Sequence, residues 1–256
     1  MNKKWATTLL ILIIFLPSVL HAQRWKLRRY EFMFGVGTSN FFGDIGGTSD
    51  DNNAAGIKDI QMQYTRPAVD IGLRYKLTGD MALKASFIFG TISGNDINSR
   101  NDNRNFAFRS TIFEPSFQFE YYLLPEARGY SSAALFNRRG MINNYSKVYI
   151  YLFGGVGGVL YNPKPLKDFE ARFNDNFSKF GAVFPVGAGL KYSIDSKWTL
   201  ALELGRRFTT TDYIDGYTSP YSKHKDTYYF GLFNAVYKIR TDRRGRPILR
   251  NPYRRR

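Results

Sequence analysis

Cysteine is absent from the 256 residues of this chain, and histidine occurs only twice. Without cysteine the chain can form neither a disulfide framework nor a thiolate metal site. Acidic residues are scarce as well, because 21 Asp and Glu stand against 37 Lys and Arg and leave a formal net charge of +16. The class of protein must therefore be inferred from the pattern of apolar residues.

Long apolar runs are also scarce, and the only prominent one extends from Leu9 to Leu20. It follows Lys3 and Lys4 and precedes Ala22, which is the arrangement of a secretory signal peptide. We expect residues 1–22 to be this signal peptide, cleaved after Ala22. The alternative is a retained membrane anchor. The exported remainder is then a soluble domain or an outer-membrane barrel, whose alternating strands escape hydropathy averages.

Alternation of apolar and polar residues favours the barrel. From Pro67 to Leu77, and again from Phe113 to Leu123, one parity is wholly apolar while the other is mostly small or charged. Segments of this kind, about 9 to 11 residues or longer, suit a transmembrane strand, whereas strands of soluble proteins average about 5 or 6 residues. Six further segments extend the pattern: Tyr30–Phe41, Met81–Ile92, Lys147–Tyr161, Ala182–Ile194, Lys197–Thr209 and Thr227–Ile239.

The connections between these segments alternate between short and long. Tight-turn residues occupy Thr78–Asp80 and Asp195–Ser196, whereas the other gaps are mostly long and polar. In an outer-membrane barrel the short turns face the periplasm and the long loops face outside. The sequence therefore predicts an all-β fold, an eight-stranded antiparallel transmembrane β-barrel of the size of OmpA, OmpX or OmpW. It would span residues 23–240, and residues 241–256 would form a basic periplasmic tail.

The residues that alternate with the apolar ones along each segment predict what fills the barrel. Eight strands enclose an interior that side chains just fill, and buried charges must pair. We expect a salt-bridged plug, with an ion path as the alternative. The charged residues of this parity are Glu31, Asp70, Arg74, Lys76, Lys84, Glu114, Glu120, Lys191, Glu203 and Arg207.

Aromatic residues near the strand ends predict two girdles at headgroup level. The alternative is that Tyr and Phe are simply good strand formers. The candidates are Tyr30, Tyr75, Phe113, Tyr121, Tyr122, Tyr161, Tyr192, Trp198, Tyr229 and Tyr237.

Catalytic and cofactor signals are weak. His224, with Ser222 and Asp226 nearby, is the one conceivable hydrolytic arrangement, and a solvated loop histidine is the plainer interpretation. The acidic stretch Ser49–Asn53 is at most a loose calcium site. The glycines of Gly154–Gly158 lack the following helix of a phosphate loop and indicate close strand approach or bending. We expect no enzyme activity, no cofactor and no metal.

Two segments on the predicted periplasmic side are unusual. The connection Leu124–Ser146 is far longer than the about two to five residues that a hairpin needs. The C-terminal stretch from Lys238 carries nine Lys and Arg against one Asp. A basic segment can indicate nucleic acid, but an exported chain meets little of it, so a protein partner or the anionic membrane surface is the better interpretation.

The stretch from Glu31 to Gly47, "EFMFGVGTSNFFGDIGG", resembles the PorG-like outer-membrane barrel family of the Bacteroidetes type IX secretion system. Its most specific part is Ser39–Gly47, and the rest of the likeness is one of layout. One departure is that the chain continues past the last strand and does not end on a terminal aromatic residue.

The resemblance implies an outer-membrane component that docks a periplasmic ring, built from a PorK-like lipoprotein and a PorN-like protein, and is not itself the translocation channel. We expect arginine side chains of the long connection and of the tail to pair with acidic groups of the partner. The expected docking residues are Arg128, Arg138, Arg139, Arg243, Arg244, Arg246, Arg250, Arg254, Arg255 and Arg256.

The glycine-rich end of the first segment predicts a turn at the outer rim. Gly43, Gly46 and Gly47 would permit positive φ, and Asn40 and Asp44 would bond nearby backbone. A ligand site at this turn is one alternative. Others are a barrel resembling OmpX or OmpW that acts through its outer loops, by adhesion or small-ligand passage, and a hydrolase that uses His224.

Overall fold

Eight antiparallel strands close into one barrel in the computed structural model, which describes residues 27–43, 45–46, 62–97, 102–124, 147–173, 176–218, 225–242 and 245–248. Each strand pairs with its neighbours in chain order, and the first also pairs with the last. The strands are β1 (Tyr30–Phe42), β2 (Arg66–Lys76), β3 (Met81–Asn95), β4 (Phe106–Tyr122), β5 (Val148–Lys167), β6 (Phe180–Ser193), β7 (Trp198–Thr209) and β8 (Thr227–Ile239). The predicted fold class is confirmed.

Short 3₁₀ turns occur outside the barrel wall at Met62–Tyr64, Asp102–Arg104 and Asp168–Arg172. Within the described part of the chain, no helix has the length and apolar character needed to cross a membrane. The segments 1–22 and 125–146, predicted as a signal peptide and as a long periplasmic connection, lie outside the described residues.

Three strands, β3, β4 and β5, are longer than predicted by three residues or more. β3 continues to Asn95 instead of Ile92, β4 begins at Phe106 instead of Phe113, and β5 continues to Lys167 instead of Tyr161. Their extensions pair with one another, because Asn95 is opposite Ala107 and Phe106 is opposite Lys167. The barrel wall is therefore tallest on this side.

The extensions were missed because the alternation reverses its sense along these strands. In the half of β4 nearer the short turns, Phe113, Phe117 and Phe119 point outward while Glu114 and Glu120 point inward. Toward the long-loop end, apolar side chains such as Phe108 and Ile112 are buried inside, and the outward positions become polar. Such a reversal is expected where a wall leaves hydrocarbon for water, because the apolar face then has to turn inward.

The outer wall below this reversal is apolar all around. Phe117 is the most exposed of its large apolar side chains, at 72%. Soluble monomers rarely expose continuous apolar patches of this size, whereas outer-membrane barrels carry an outward apolar band about 25 Å tall. The band includes Phe32, Phe34, Val36, Ile71, Leu73, Leu83, Phe87, Phe89, Phe119, Leu152, Val156, Leu160, Val186, Leu190, Leu202, Leu204 and Phe233.

Aromatic side chains mark the short-turn end of the band. The rings of Tyr30 and Tyr75 lie 5.0 Å apart, and so do those of Trp198 and Tyr237. Two members of the predicted girdles were wrong, because Tyr122 and Tyr161 are buried inside the barrel. Both occupy inward strand positions, which aromatic content near a strand end cannot reveal.

The glycine run of β5 lets neighbouring strands approach closely. A Cβ on Gly155 would lie 2.2 Å from the Phe117 carbonyl oxygen, and one on Gly157 would lie 2.5 Å from that of Pro115. This agrees with close strand approach at two of the four glycines. Gly154 is different, because a Cβ there would meet no atom within 4 Å.

Candidate functional site

The short-turn half of the barrel interior contains an ionic network centred on Arg74. Its guanidinium lies 3.0 Å from Glu31, 2.6 Å from Glu120 and 3.2 Å from Glu203. These carboxylates come from β1, β4 and β7, so one side chain of β2 ties together strands on several sides of the barrel. Tyr151 supports the arrangement by donating a 2.6 Å hydrogen bond to Glu203.

Lysine side chains surround this centre. Lys76 and Lys191 each lie 2.8 Å from Glu31, and Lys84 lies 2.5 Å from Glu203. Lys238 lies within the predicted strand Thr227–Ile239, but it was counted with the basic C-terminal stretch and not among the inward charges. It belongs to β8, is buried, and donates a 3.0 Å hydrogen bond to Ser193. Its inward parity with Asn234 and Val236 was the signal that could have identified it.

A smaller polar group lies farther along the interior. Arg207 is 3.4 Å from Glu114, and Tyr228 donates a 2.7 Å hydrogen bond to the same carboxylate. Asp70 accepts a 2.6 Å hydrogen bond from Ser86. All ten charged residues predicted for the interior are buried.

An apolar cluster fills the long-loop half of the interior. Its members come from the strands and from the segments that follow β1, β5 and β7. Together with the paired charges it makes the interior a plug and not an open pore. The buried residues are Ile45, Ala68, Ile88, Ile92, Phe106, Phe108, Ile112, Val159, Tyr161, Phe169, Val183, Ile214, Tyr228, Phe230 and Leu232.

The predicted rim turn lies at the long-loop end. Gly46 has a φ of 100°, and its N–H donates a 2.9 Å hydrogen bond to Asp96. Asn40 was expected to bond nearby backbone, but the bond found among the described residues is to a side chain, because its amide oxygen accepts a 2.8 Å hydrogen bond from Thr65. Gly43 was expected to have a positive φ and does not. A side chain would still not fit there, because a Cβ would lie 2.3 Å from an Asp226 carboxylate oxygen. Asp44 and Gly47 lie outside the described residues.

Asp96 acts as a latch between the segments at this rim. Besides Gly46 it binds Arg104, whose Nε lies 2.7 Å away, and it accepts the N–H of Phe106 at 3.3 Å. Burial lowers the pKa of the Arg104 guanidinium, but the hydrogen bond and charge of Asp96 outweigh this and leave that pKa above its ordinary value. Sequence reasoning missed this role, because a loop aspartate carries no signal of its distant partners.

The basic end of the chain begins as a tight hairpin. Thr241 N–H donates to the Leu27 carbonyl at 2.9 Å, and Ile248 N–H donates to the Arg240 carbonyl at 2.8 Å. Arg246 closes the hairpin through two contacts with Asp242, at 2.8 Å from its backbone N–H and 3.1 Å from its Nε. This arginine already has an acidic partner within the chain. The remaining nine predicted docking arginines, and His224 with them, lie outside the described residues.

Among the residues that the structure describes, no group of three or more His, Cys, Asp and Glu could hold a metal ion. The ion pairs and tyrosine hydroxyls of the interior are paired with one another, whereas the buried amide of Asn234 has no hydrogen-bond partner among the described residues. What the arrangement supplies is a rigid, filled barrel whose free surfaces are its wall and its two ends.

Comparison with solved structures finds small barrels. Ail of Yersinia pestis, solved with the heparin analogue sucrose octasulfate, has 11% identity and a TM-score of 0.43, with 82% of this chain and 97% of that chain covered. Neisserial surface protein A has 10% identity and a TM-score of 0.43, with coverages of 82% and 96%. Outer membrane protein W of E. coli has 14% identity and a TM-score of 0.39, with coverages of 82% and 98%.

Values this low carry no conclusion about activity or ligands. Among curated protein sequences, none matches this chain. A family described as a domain of unknown function, DUF6089, matches residues 6–238. This match covers β1 to β7 and all but the last residue of β8, and the chain therefore belongs to the DUF6089 family.

Proposed function

We propose that this chain is an integral outer-membrane protein that docks the periplasmic ring of a type IX protein secretion machine and catalyses no reaction. The filled interior is the observation that carries the proposal. Paired charges around Arg74 and the apolar cluster beyond them oppose passage of solutes through the barrel. A barrel of this kind works through what it presents at its ends.

The outer-membrane location is supported by the closed barrel and its apolar outer band, since closed barrels are the β-structures that satisfy their backbone hydrogen bonds in lipid. The short-turn end then faces the periplasm. It carries the connection 125–146 and the end of the chain, and both are rich in arginine.

The secretion role itself rests on the resemblance of residues 31–47 to the PorG-like family. The expected partners are a PorK-like lipoprotein and a PorN-like ring protein. Arginine side chains bind carboxylates through two parallel hydrogen bonds, so the proposal requires acidic patches on these partners. Arg246 is less available for this purpose than the others, because it is engaged with Asp242.

Affinity purification of the tagged barrel from gently solubilised outer membranes tests the proposal. The informative deletion removes residues 249–256, because it leaves intact the hairpin that is pinned to Leu27. Two further variants replace Arg254, Arg255 and Arg256 together, one with Gln and the other with Lys. The Lys variant keeps the charge but loses the planar fork.

We expect the wild type to recover the lipoprotein and the ring protein, the Gln variant and the deletion to lose them, and the Lys variant to recover less than the wild type. Secretion should fall in the same order while the amount of folded barrel stays constant. Equal recovery and secretion from all four proteins would refute docking through the tail. A barrel without any partner in all four would reduce the family resemblance to one of fold.

A further inference from the structure

Four polar side chains form a patch on the outer wall where β4 and β5 emerge from the apolar band. Arg109 is opposite Lys164 in the strand register, and Thr111 is opposite Asn162. All four occupy outward positions, and Arg109, Lys164 and Asn162 are exposed. The next outward pair toward the short-turn end is Phe113 and Leu160, which belongs to the apolar band.

The side chains of the patch lie within reach of lipid headgroups. Arg109 is four residues from Phe113 along β4, which corresponds to about 13 Å of strand and, with a tilt of about 40°, to about 10 Å along the membrane normal. The headgroup layer on each side of a bilayer is about 5–8 Å thick beyond the hydrocarbon. Arginine and lysine side chains of this length reach back into that layer from just above it.

The two cations lack partners on the described part of the chain. Neither Arg109 nor Lys164 makes an ion pair or a hydrogen bond with a described residue. Like charges placed directly opposite on one sheet face destabilise each other. The nearby Arg66 increases the positive charge, since its Nε donates a 2.8 Å hydrogen bond to Ser93, the register partner of Arg109 on the other side.

Two other arginines near the long-loop end are half-buried and have partners. Arg206, which also points outward, stacks on the rings of Phe208 and Tyr229 and donates a hydrogen bond to Thr227. Arg104 is paired with Asp96. The pair on β4 and β5 thus stands out as positive charge held on a rigid sheet without a counter-charge among the described residues.

We propose that Arg109 and Lys164 bind a phosphate group of an anionic lipid headgroup in the outer-facing leaflet, with Thr111 and Asn162 as further hydrogen-bond donors. Arginine offers a fork that matches two phosphate oxygens, and lysine supplies a second charge. A phosphate between them removes the like-charge repulsion across the two strands. This site is independent of ring docking, because it lies on the opposite end of the barrel and needs only that the barrel spans a membrane.

Native mass spectrometry of the barrel in mixed detergent micelles tests the site. The probes are a bis-phosphorylated glucosamine-disaccharide lipid, the same lipid after removal of its phosphates, and inorganic phosphate. The test variant is R109Q/K164Q. The matched control is R28Q/K197Q, which removes one arginine and one lysine from the short-turn end.

Each cation near a charged membrane surface contributes about fivefold to affinity, so the double variant should bind the phosphorylated lipid about 30-fold more weakly. The control variant should bind it like the wild type, and the dephosphorylated lipid should be retained poorly by all three proteins. Equal retention of the phosphorylated lipid by R109Q/K164Q and wild type would overturn the proposal, as would equal retention of the two lipids by the wild type. Inorganic phosphate bound as tightly as the lipid would overturn the assignment to a lipid headgroup. A difference in electrophoretic mobility between unheated and boiled samples verifies that each variant is folded.

Discussion

Arg74 Nη1 on β2 lies 3.0 Å from Glu31 Oε2 on β1, and both side chains are wholly buried inside the barrel. The same arginine also reaches Glu120 and Glu203, so three carboxylates share one guanidinium. Buried charges are costly unless they are paired, and removing one partner leaves the others uncompensated. This relationship makes Arg74 the most consequential single charge of the interior.

Replacement of Arg74 by Met should lower the free energy of unfolding by about 3–5 kcal/mol, because it removes the guanidinium that three buried carboxylates share. Urea titration of the barrel in lipid vesicles, followed by tryptophan fluorescence, measures the change. Arg240→Met is the matched control, since Arg240 is exposed just after β8, and it should change stability by less than about 0.5 kcal/mol. Equal effects of the two substitutions would contradict the central role of Arg74.

The same packing predicts that the wild-type barrel does not conduct. In planar bilayers we expect no steady current steps, because Arg74 with its carboxylates and the apolar cluster around Phe108 and Phe230 occupy the interior. A larger porin added to the same bilayer provides the positive control. A stable, voltage-independent conductance from the purified protein would show that the interior opens, and the plug interpretation would then be wrong.

Replacement by alanine should change the stability of the barrel differently at two glycines of neighbouring strands. A Cβ on Gly189 would lie 2.2 Å from Cζ of the buried Tyr151 ring, whose hydroxyl binds Glu203. Gly189→Ala should therefore destabilise the barrel by about 1–3 kcal/mol through overpacking. Gly154→Ala on β5 meets open space and should leave stability unchanged or slightly improved. Urea titration of both variants, with the wild type alongside, compares them, and equal losses would contradict the geometry.

Parity along the strands predicted which charges face inward, because every second residue of a strand lies on the same face. Alternation could not predict which of these charged side chains form ion pairs with one another. Lys84 on β3 meets Glu203 on β7 across the barrel, and this contact depends on strand register and shear, which no local pattern records. The ends of β3, β4 and β5 were missed for a different reason. Above the apolar band the alternation reverses, so a search for apolar residues on the outer face ends there.

The turn between β6 and β7 should carry a small pH dependence. Backbone N–H groups of Trp198 and Lys197 donate to Asp195 Oδ1 at 2.6 and 2.5 Å and hold the pKa of this exposed carboxyl below its ordinary value. Because the folded pKa is lowered, the stabilisation is present above the pKa of the unfolded chain and is lost as pH falls through the folded pKa. NMR titration of Asp195 in the folded barrel should give a lower midpoint than in the urea-unfolded chain, and equal midpoints would contradict the turn geometry.

The rim latch should fail locally when Asp96 is removed. Its carboxylate accepts the Gly46 N–H at 2.9 Å and pairs with Arg104 at 2.7 Å, so Asp96→Ala releases the turn after β1 and leaves the partly buried guanidinium without its counter-charge. We expect a loss of about 1–3 kcal/mol at this rim, seen as faster hydrogen exchange of the Gly46 amide while amides in the middle of β1 exchange as before. Asp168→Ala is the control, because the hydrogen bond that Asp168 accepts among the described residues is an exposed one from Asn105. Unchanged exchange at Gly46 in the Asp96 variant would mean that the turn is held by its own conformation, and the latch would be an incidental contact.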